Sequence, residues 1–336
     1  MLVRLIVRRL LFLVLVLFGL SVITFALSHI VPGDPARMMA GPRASRSTVD
    51  KIREKYGLND PLPVQYVDYI TGVVRLDFGT SFTSRQPVRS DLGRYLPATV
   101  ELGLYALVLS TAIGVPLGIV SAVRRDRWPD HLSRVISISG LALPAFWLAL
   151  MAQFAFSAQL GWLPDGLRLP ILEDPPRTIT SLYTVDSLLT GNWSLFWLSI
   201  KHLVLPVTVL ALGSLAVITR MVRGGMLEVL NQDYIRTARA KGITQRDVLV
   251  GHALKNALLP TVTSIGLQVG LLLSGAFLVE LVFSWPGIGR YAVDAIENRD
   301  YNAVMATTLV IAVIFVLMNL IVDVLYLFLD PRISFE

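Results

Sequence analysis

Apolar residues along this chain fall into blocks separated by polar stretches of very unequal length. An α-helix needs roughly 20 apolar residues to cross the hydrocarbon of a bilayer, so blocks of this size predict spans rather than strands or a soluble core. Six are legible: Leu10 to about Ile30, Ala98–Val123, Val135–Leu160, Leu203–Thr219, Leu258–Phe283 and Ala303–Leu329. Arg4, Arg8 and Arg9 ahead of the first block resemble the charged start of a signal peptide, and Ala26-Leu27-Ser28 could pass for a cleavage site. The block is longer than a secretory apolar region, so an uncleaved first helix is expected.

The polar stretches carry their own local signals. Pro32 and Pro35 in VPGDP stop the first helix, because proline lacks an N–H and clashes with the preceding turn. In the polar region 32–97, Ser47 is placed to cap a short helix through Tyr56 that Gly57 closes. Pro63 opens a second helix at its first position, Leu76–Phe82 reads as extended, and Val88–Leu96 as an amphipathic lead-in to the membrane. Inside the spans, Pro116, Pro144 and Pro206 permit bends where neighbours satisfy the freed carbonyls. In the fifth span Thr263, Gly266, Gly270 and Ser274 share one helical face, with Gln268 on the adjacent face. Close helix packing explains small residues in a row, and the lining of a translocation path is the alternative.

Composition agrees with the pattern: of 336 residues 54% are hydrophobic and 16% charged, against about a quarter charged in soluble chains. There are no cysteines, which removes disulfides and thiolate metal sites. The net charge of +6 is distributed along the flanks of the apolar blocks, as membrane topology requires, and does not indicate nucleic acid. With six spans both termini share a side. That side carries fifteen Lys and Arg, against five in the short loops opposite: Arg168, Arg177, Lys201, Arg290 and Arg299. The large loop holds ten more, but loops that long translocate largely regardless of charge. Both termini are therefore expected in the cytoplasm, with 32–97, 161–202 and 284–302 facing outward.

Recognisable catalytic and nucleotide-binding signatures are missing. His29, His131, His202 and His252 sit at span boundaries without metal-ligand spacing, and there is no GxSxG elbow. None of the five lysines follows a glycine, so no phosphate-binding loop exists. Glu101 and Glu280 near outer span ends and Asp323 near the inner end would be the carboxylates of a proton-coupled carrier, yet none lies clearly at the midplane with a partner. The architecture suits a transporter that takes its energy from another subunit; a membrane scaffold without transport is the third class.

Between spans four and five lies the polar stretch Arg220–Pro260, with seven Lys or Arg against three acids. Apolar positions 226, 227, 229, 230, 234, 235 and 238 form a stripe beside a basic face, predicting a helix over Met226–Lys241 ended by Gly242. Thr244, with Asp247 three residues on, caps a second helix leading to Pro260. Such a helix–glycine–helix suits a knob docking in a partner's groove, and equally a basic helix lying on membrane lipid.

Within that stretch, YIRTARAKG (234–242) followed by HALKNALLP (252–260) resembles the cytoplasmic signature of ABC-importer permeases. Arg236-Thr237-Ala238 stand where the signature has Glu-Ala-Ala, and Lys255 stands where it has proline; both departures resemble the dipeptide/oligopeptide branch. The stretches 7–45, VFSWPGIGRYAVDAIENRDY (282–301) and DPRI (330–333) are similar to the same branch, and specifically to its B-type subunit. The resemblance covers nearly the whole chain. It implies an all-α, six-helix permease fold of the bacterial or archaeal inner membrane: residues 1–31 as N-terminus and first helix, 32–97 as an extracytoplasmic loop region, 98–329 as permease core with a coupling segment at 220–257, and 330–336 as a tail. It implies a second homologous permease subunit, two ABC ATPase subunits that carry ATP and Mg, an extracytoplasmic substrate-binding protein, and no cofactor or catalysis on this chain. Tyr234, Arg236, Thr237, Ala238, Arg239, Ala240, Lys241 and Gly242 would form the coupling helix against an ATPase. Pro286, Gly287 and Gly289 would form an outer turn, structural or near the binding-protein dock. The expected cargo is di- or oligopeptides; nickel chelates, glutathione and oligosaccharides are alternatives within the family.

Overall fold

The computed structural model describes residues 2–30, 34–41 and 43–329. Among them there is no strand, and one isolated bridge joins Thr80 to Pro87. Among the described residues five helices are long and apolar enough to cross a membrane, or six where a sharply bent pair counts as one span. The chain divides into two units, residues 1–96 with 287–314 and residues 97–286 with 315–336.

In the first unit, α1 (Leu2–Ile30) starts eight residues earlier than the apolar block, because its arginines lie within the helix rather than ahead of it. Short helices α2 (Pro35–Ala40), α3 (Arg46–Lys55) and α4 (Leu62–Val74) follow. Ser45, not Ser47, caps α3: its backbone is extended and its hydroxyl accepts from the Thr48 N–H, which puts Ser47 inside the first turn. Pro63 is the second residue of α4 and not its first, the cap being Pro61. Gly57 follows α3 at φ +61°, the left-handed position expected after a helix. α4 lies on α1 through Tyr66 and Tyr69, which pack on Phe25, and through a 2.8 Å bond between the Ser21 and Tyr66 hydroxyls. Residues 76–87 form a looped turn rather than an extended run, pinned to the chain before α15 (Tyr301–Leu329) by Asp300. The Asp300 carboxylate accepts from Ser81 Oγ at 2.5 Å and the Thr83 N–H at 3.0 Å. α14 (Ile288–Glu297) closes this unit, with Tyr291 stacked on Tyr95 and donating to Asp91.

The second unit is built around α9 (Trp193–Leu230), the most buried of the long helices. α5 (Val88–Val123) carries Pro97 and Pro116 without ending, and α9 carries Pro206. Close approach to α9 is made possible by missing side chains. A Cβ on Gly118 of α5 would come within 2.7 Å of Val222, and one on Gly225 would come within 2.8 Å of the Ala257 carbonyl on α12 (Leu254–Gly275).

The third expected span is not one helix. α6 (Trp128–Ala142) and α7 (Ala145–Ala152), the latter continued by a wider π-helical turn at 153–159, meet at 106°. Pro144 is the cause: it has no N–H to continue the ladder, and it holds Leu143 in an extended conformation (φ −88°, ψ 132°). The pair still joins opposite ends of the unit. α6 begins beside Ser121, near the end of α5, whereas Gln153 donates to the carbonyls of Asp165 and Val282. Val282 ends α13 (Phe277–Val282), whose Glu280 accepts from Thr99 at the other end of α5. A broken crossing fits these contacts and a re-entrant loop does not.

Candidate functional site

The polar stretch between the fourth and fifth spans folds as three pieces. α9 runs eleven residues past the expected end of its span, to Leu230, and Asn231-Gln232 break the chain before α10 (Asp233–Ala240). The predicted single helix over 226–241 is therefore two. Its apolar stripe serves both: Met226 packs in α9, and Ile235 and Ala238 bury one face of α10 against Val248, Ala253 and Ala257. Gly242 at φ +74° turns the chain, a conformation costly for a side-chain-bearing residue. Thr244 caps α11 (Gln245–Asp247) as expected, its hydroxyl accepting from the Asp247 N–H, and a π-helical turn at 248–253 leads into α12.

The face of α10 away from Ile235 and Ala238 is fully presented. Arg236, Thr237, Arg239, Ala240, Lys241 and Gly242 are all exposed. Arg236 contacts Asp233 at 3.4 Å with both side chains largely in solvent, an ion pair worth little. Tyr234 is half-exposed, its hydroxyl accepting from Asn256 Nδ2 at 2.8 Å, which ties α10 to the start of α12. The segment is thus held from below by two apolar side chains and offers cations and a turn to whatever lies beyond.

Other charges of the second unit turn inward. Glu101 on α5 and Arg168 form a buried ion pair at 2.5 Å; Glu101 also accepts from the Thr184 N–H and hydroxyl, and the guanidinium stacks 3.5 Å from the ring centre of Tyr183. The adjoining helix α8 (Tyr183–Leu189) holds Asp186, which accepts from the N–H groups of Ile179, Thr180 and Ser181. Burial acts to raise the Asp186 pKa, but the Thr180 hydroxyl and these N–H groups outweigh it and hold the carboxyl below its usual range. At the opposite end Asp130 is enclosed by Ser121, Arg134 and Arg223. Neither cluster was anticipated from sequence: Arg168 and Arg223 had counted only as loop charges, and Asp130 carried no signal.

Comparison with known proteins covers nearly the whole chain. Residues 114–335 match the family model "Binding-protein-dependent transport system inner membrane component", and residues 1–103 match the model for the N-terminal part of such components. The dipeptide transport system permease protein of Alkalihalophilus pseudofirmus is 47% identical over 98% of both chains. A probable D,D-dipeptide transport system permease of Escherichia coli K12 is 48% identical over 96% of this chain and 95% of its own. The glutathione transport system permease of the same strain is 40% identical over 98% of this chain and 99% of its own. The chain belongs to the binding-protein-dependent transport permeases. It is a multi-pass, all-α inner membrane component of such a system, which sets aside the self-sufficient carrier and the inert scaffold.

In this permease the two described glycines on the small-residue face of the fifth span are buried within the chain. Gly270 is buried so closely on Phe315 that an added Cβ would lie 2.7 Å from the ring, and Gly266 is buried too. Gln268 is buried and accepts from Ser214 of α9 at 2.9 Å. The side chains of Thr263, Ser274, Asp323 and His29 lie outside the described residues, as does the DPRI tail. Gly287 and Gly289 are buried at the start of α14, Gly287 as its N-cap, with Pro286 half-buried before them. His202 is buried with its ring Nδ1 2.7 Å from the Gly166 carbonyl, a structural contact rather than an interfacial one.

Proposed function

We propose that this permease forms half of the translocation pathway of an ATP-driven importer of di- and oligopeptides. A second, homologous permease subunit completes the pathway, an extracytoplasmic binding protein delivers cargo, and two ABC ATPase subunits carry ATP and Mg. Both termini and the 220–257 segment face the cytoplasm; residues 32–97 form the extracytoplasmic loop region, and 98–329 the permease core. α10 is the coupling helix, seated in an ATPase cleft through Arg236, Arg239, Lys241 and the Gly242 turn. ATP-driven closure of the ATPases rocks the helices from inward-open to outward-open. The face carrying Thr263, Gly266, Gly270 and Ser274, with Gln268 beside it, borders the path. The turn at Pro286, Gly287 and Gly289 lies on the binding-protein side.

The observation that carries this reading is the division of labour on α10: two buried anchors, Ile235 and Ala238, beneath an exposed polar face. A helix resting on lipid would turn its apolar face to the bilayer, whereas here that face is consumed inside the protein. Peptide cargo is supported by the dipeptide permeases among the relatives. Uptake of labelled dipeptide by proteoliposomes holding the assembled complex tests it. ATP-dependent uptake supports the reading, and uptake that survives ATPase loss but stops with a protonophore sinks it.

A further inference from the structure

α10 follows α9 after only two residues, and Arg223 sits two turns before the end of α9. At that level five donor groups converge on the Asp130 carboxylate, whose side chain is fully enclosed. Oδ1 accepts from Ser121 Oγ at 2.6 Å and Arg223 Nε at 2.6 Å. Oδ2 accepts from Arg223 Nη2 at 2.9 Å, Arg134 Nη2 at 2.7 Å and the Asp126 N–H at 3.0 Å. These donors belong to the end of α5, the turn after it, α6 itself and α9. Ser133 Oγ, 2.8 Å from Ser121 Oγ and 2.9 Å from the Asp130 carbonyl, completes the network. At the exposed rim the Asp126 carboxylate pairs with both Arg134 and Arg125.

The bidentate Arg223 fork fixes orientation as well as distance. The neighbouring contacts of α9 are different in kind: Val222 over Gly118 and Gly225 over Ala257 are smooth, small-residue crossings. Packed helices shear past one another at such crossings, whereas a saturated, buried carboxylate resists shear because every displacement breaks several charge-assisted bonds at once. We infer that Asp130 is a positioning residue that makes α5, α6 and the distal half of α9 move as one body, so that a push on α10 reaches the α5–α6 pair. The inference rests on α10 docking to the ATPase. It assigns the onward route through the Asp130–Arg223 fork rather than through the apolar contacts with α12.

The test is the assembled complex with Asp130→Asn, reconstituted with its ATPase and binding-protein partners. Substrate imported per ATP hydrolysed is measured alongside the amount of ATPase subunit bound. The expected result is wild-type ATPase binding with uptake per ATP reduced at least about fivefold, the lower end of measured coupling factors. Arg223→Lys keeps the charge and loses the fork; it serves if the first variant does not assemble, and about a twofold or greater loss of the same ratio is expected. An unchanged ratio in an assembled variant overturns the inference, because a purely structural role would lower yield and leave the ratio intact. Loss of bound ATPase from a folded Asp130→Asn permease also overturns it, since the cluster would then shape the docking surface itself. Failure of the docking reading has another signature: Arg236→Ala with Arg239→Ala would retain ATPase and the wild-type ratio.

Discussion

At the end of the second unit that holds Glu101, charged side chains are folded into the protein: Arg168 lies between Glu101 and Tyr183, and Asp186 gathers three backbone N–H groups. At the other end Asp130 is treated the same way, but ten residues beyond its partner Arg223 the pattern inverts, and α10 turns Arg236, Arg239 and Lys241 into solvent above two apolar anchors. A buried charge is tolerable only when its partners are fixed, so a buried network marks a part that keeps its shape. A helix whose cations stand largely in solvent is free to exchange that solvent for a partner. Within one unit the two arrangements separate a self-contained end from an exposed polar face, the proposed contact surface.

Breaking the self-contained end should have the largest effect. Arg168→Met leaves the Glu101 carboxylate buried without its cation, and a loss of about 3–5 kcal/mol in stability is expected. Thermal unfolding of the purified permease in detergent measures it, and an unchanged melting temperature would mean the pair is not closed in the membrane protein. The contact surface should respond in the opposite manner. Gly242→Asp places a side chain at φ +74° with open space around it, at a conformational cost of only about 1–2 kcal/mol, so insertion and melting change little. ATPase association, read by co-purification, should nevertheless fall by about tenfold, equivalent to 1.4 kcal/mol. Wild-type association would remove the turn from the interface.

Asp186 sharpens the comparison through pH. Its folded pKa is lowered, so its stabilisation is complete above the unfolded value of about 3.9 and is lost as pH falls through the folded value. The 179–186 loop should therefore loosen in acid and hold at neutral pH. Asp186→Asn should remove that acid dependence and cost about 1–3 kcal/mol locally at pH 7. Hydrogen exchange at Thr180 and Ser181 reports both. The smallest effect belongs to Tyr234→Phe, which deletes one exposed hydrogen bond to Asn256. A change under about 1 kcal/mol is expected, with ATPase binding retained.

Much of this contrast was legible in the residues before any geometry. Of the stripe at 226, 227, 229, 230, 234, 235 and 238, Met226, Ile235 and Ala238 are buried while Tyr234 is exposed, and Gly242 and Thr244 marked the turn and the cap. The Asn231-Gln232 break was missed because the apolar stripe continues in register across it, and periodicity does not distinguish one helix from two aligned ones. Pro144 announced a bend, but its 106° angle depends on what the second half packs against. The two buried ion pairs were out of reach for a different reason. Arg168 lies 67 residues from Glu101, and Arg223 lies 93 from Asp130. Spacing rules identify neighbours on one helix and say nothing about which helices cross.

The sequence has no native cysteine, so single cysteines can be placed without background. Arg239→Cys on the exposed face of α10 and Leu172→Cys on the exposed opposite loop form the decisive pair. In intact cells expressing the whole transporter, the Leu172→Cys variant should react with a membrane-impermeant thiol reagent and the Arg239→Cys variant should not. The Arg239→Cys thiol should instead cross-link to an ATPase subunit. Labelling of the Arg239→Cys variant from outside the cell, or its failure to form an ATPase adduct in a complex still active in uptake, would contradict the assignment of α10 as the coupling surface.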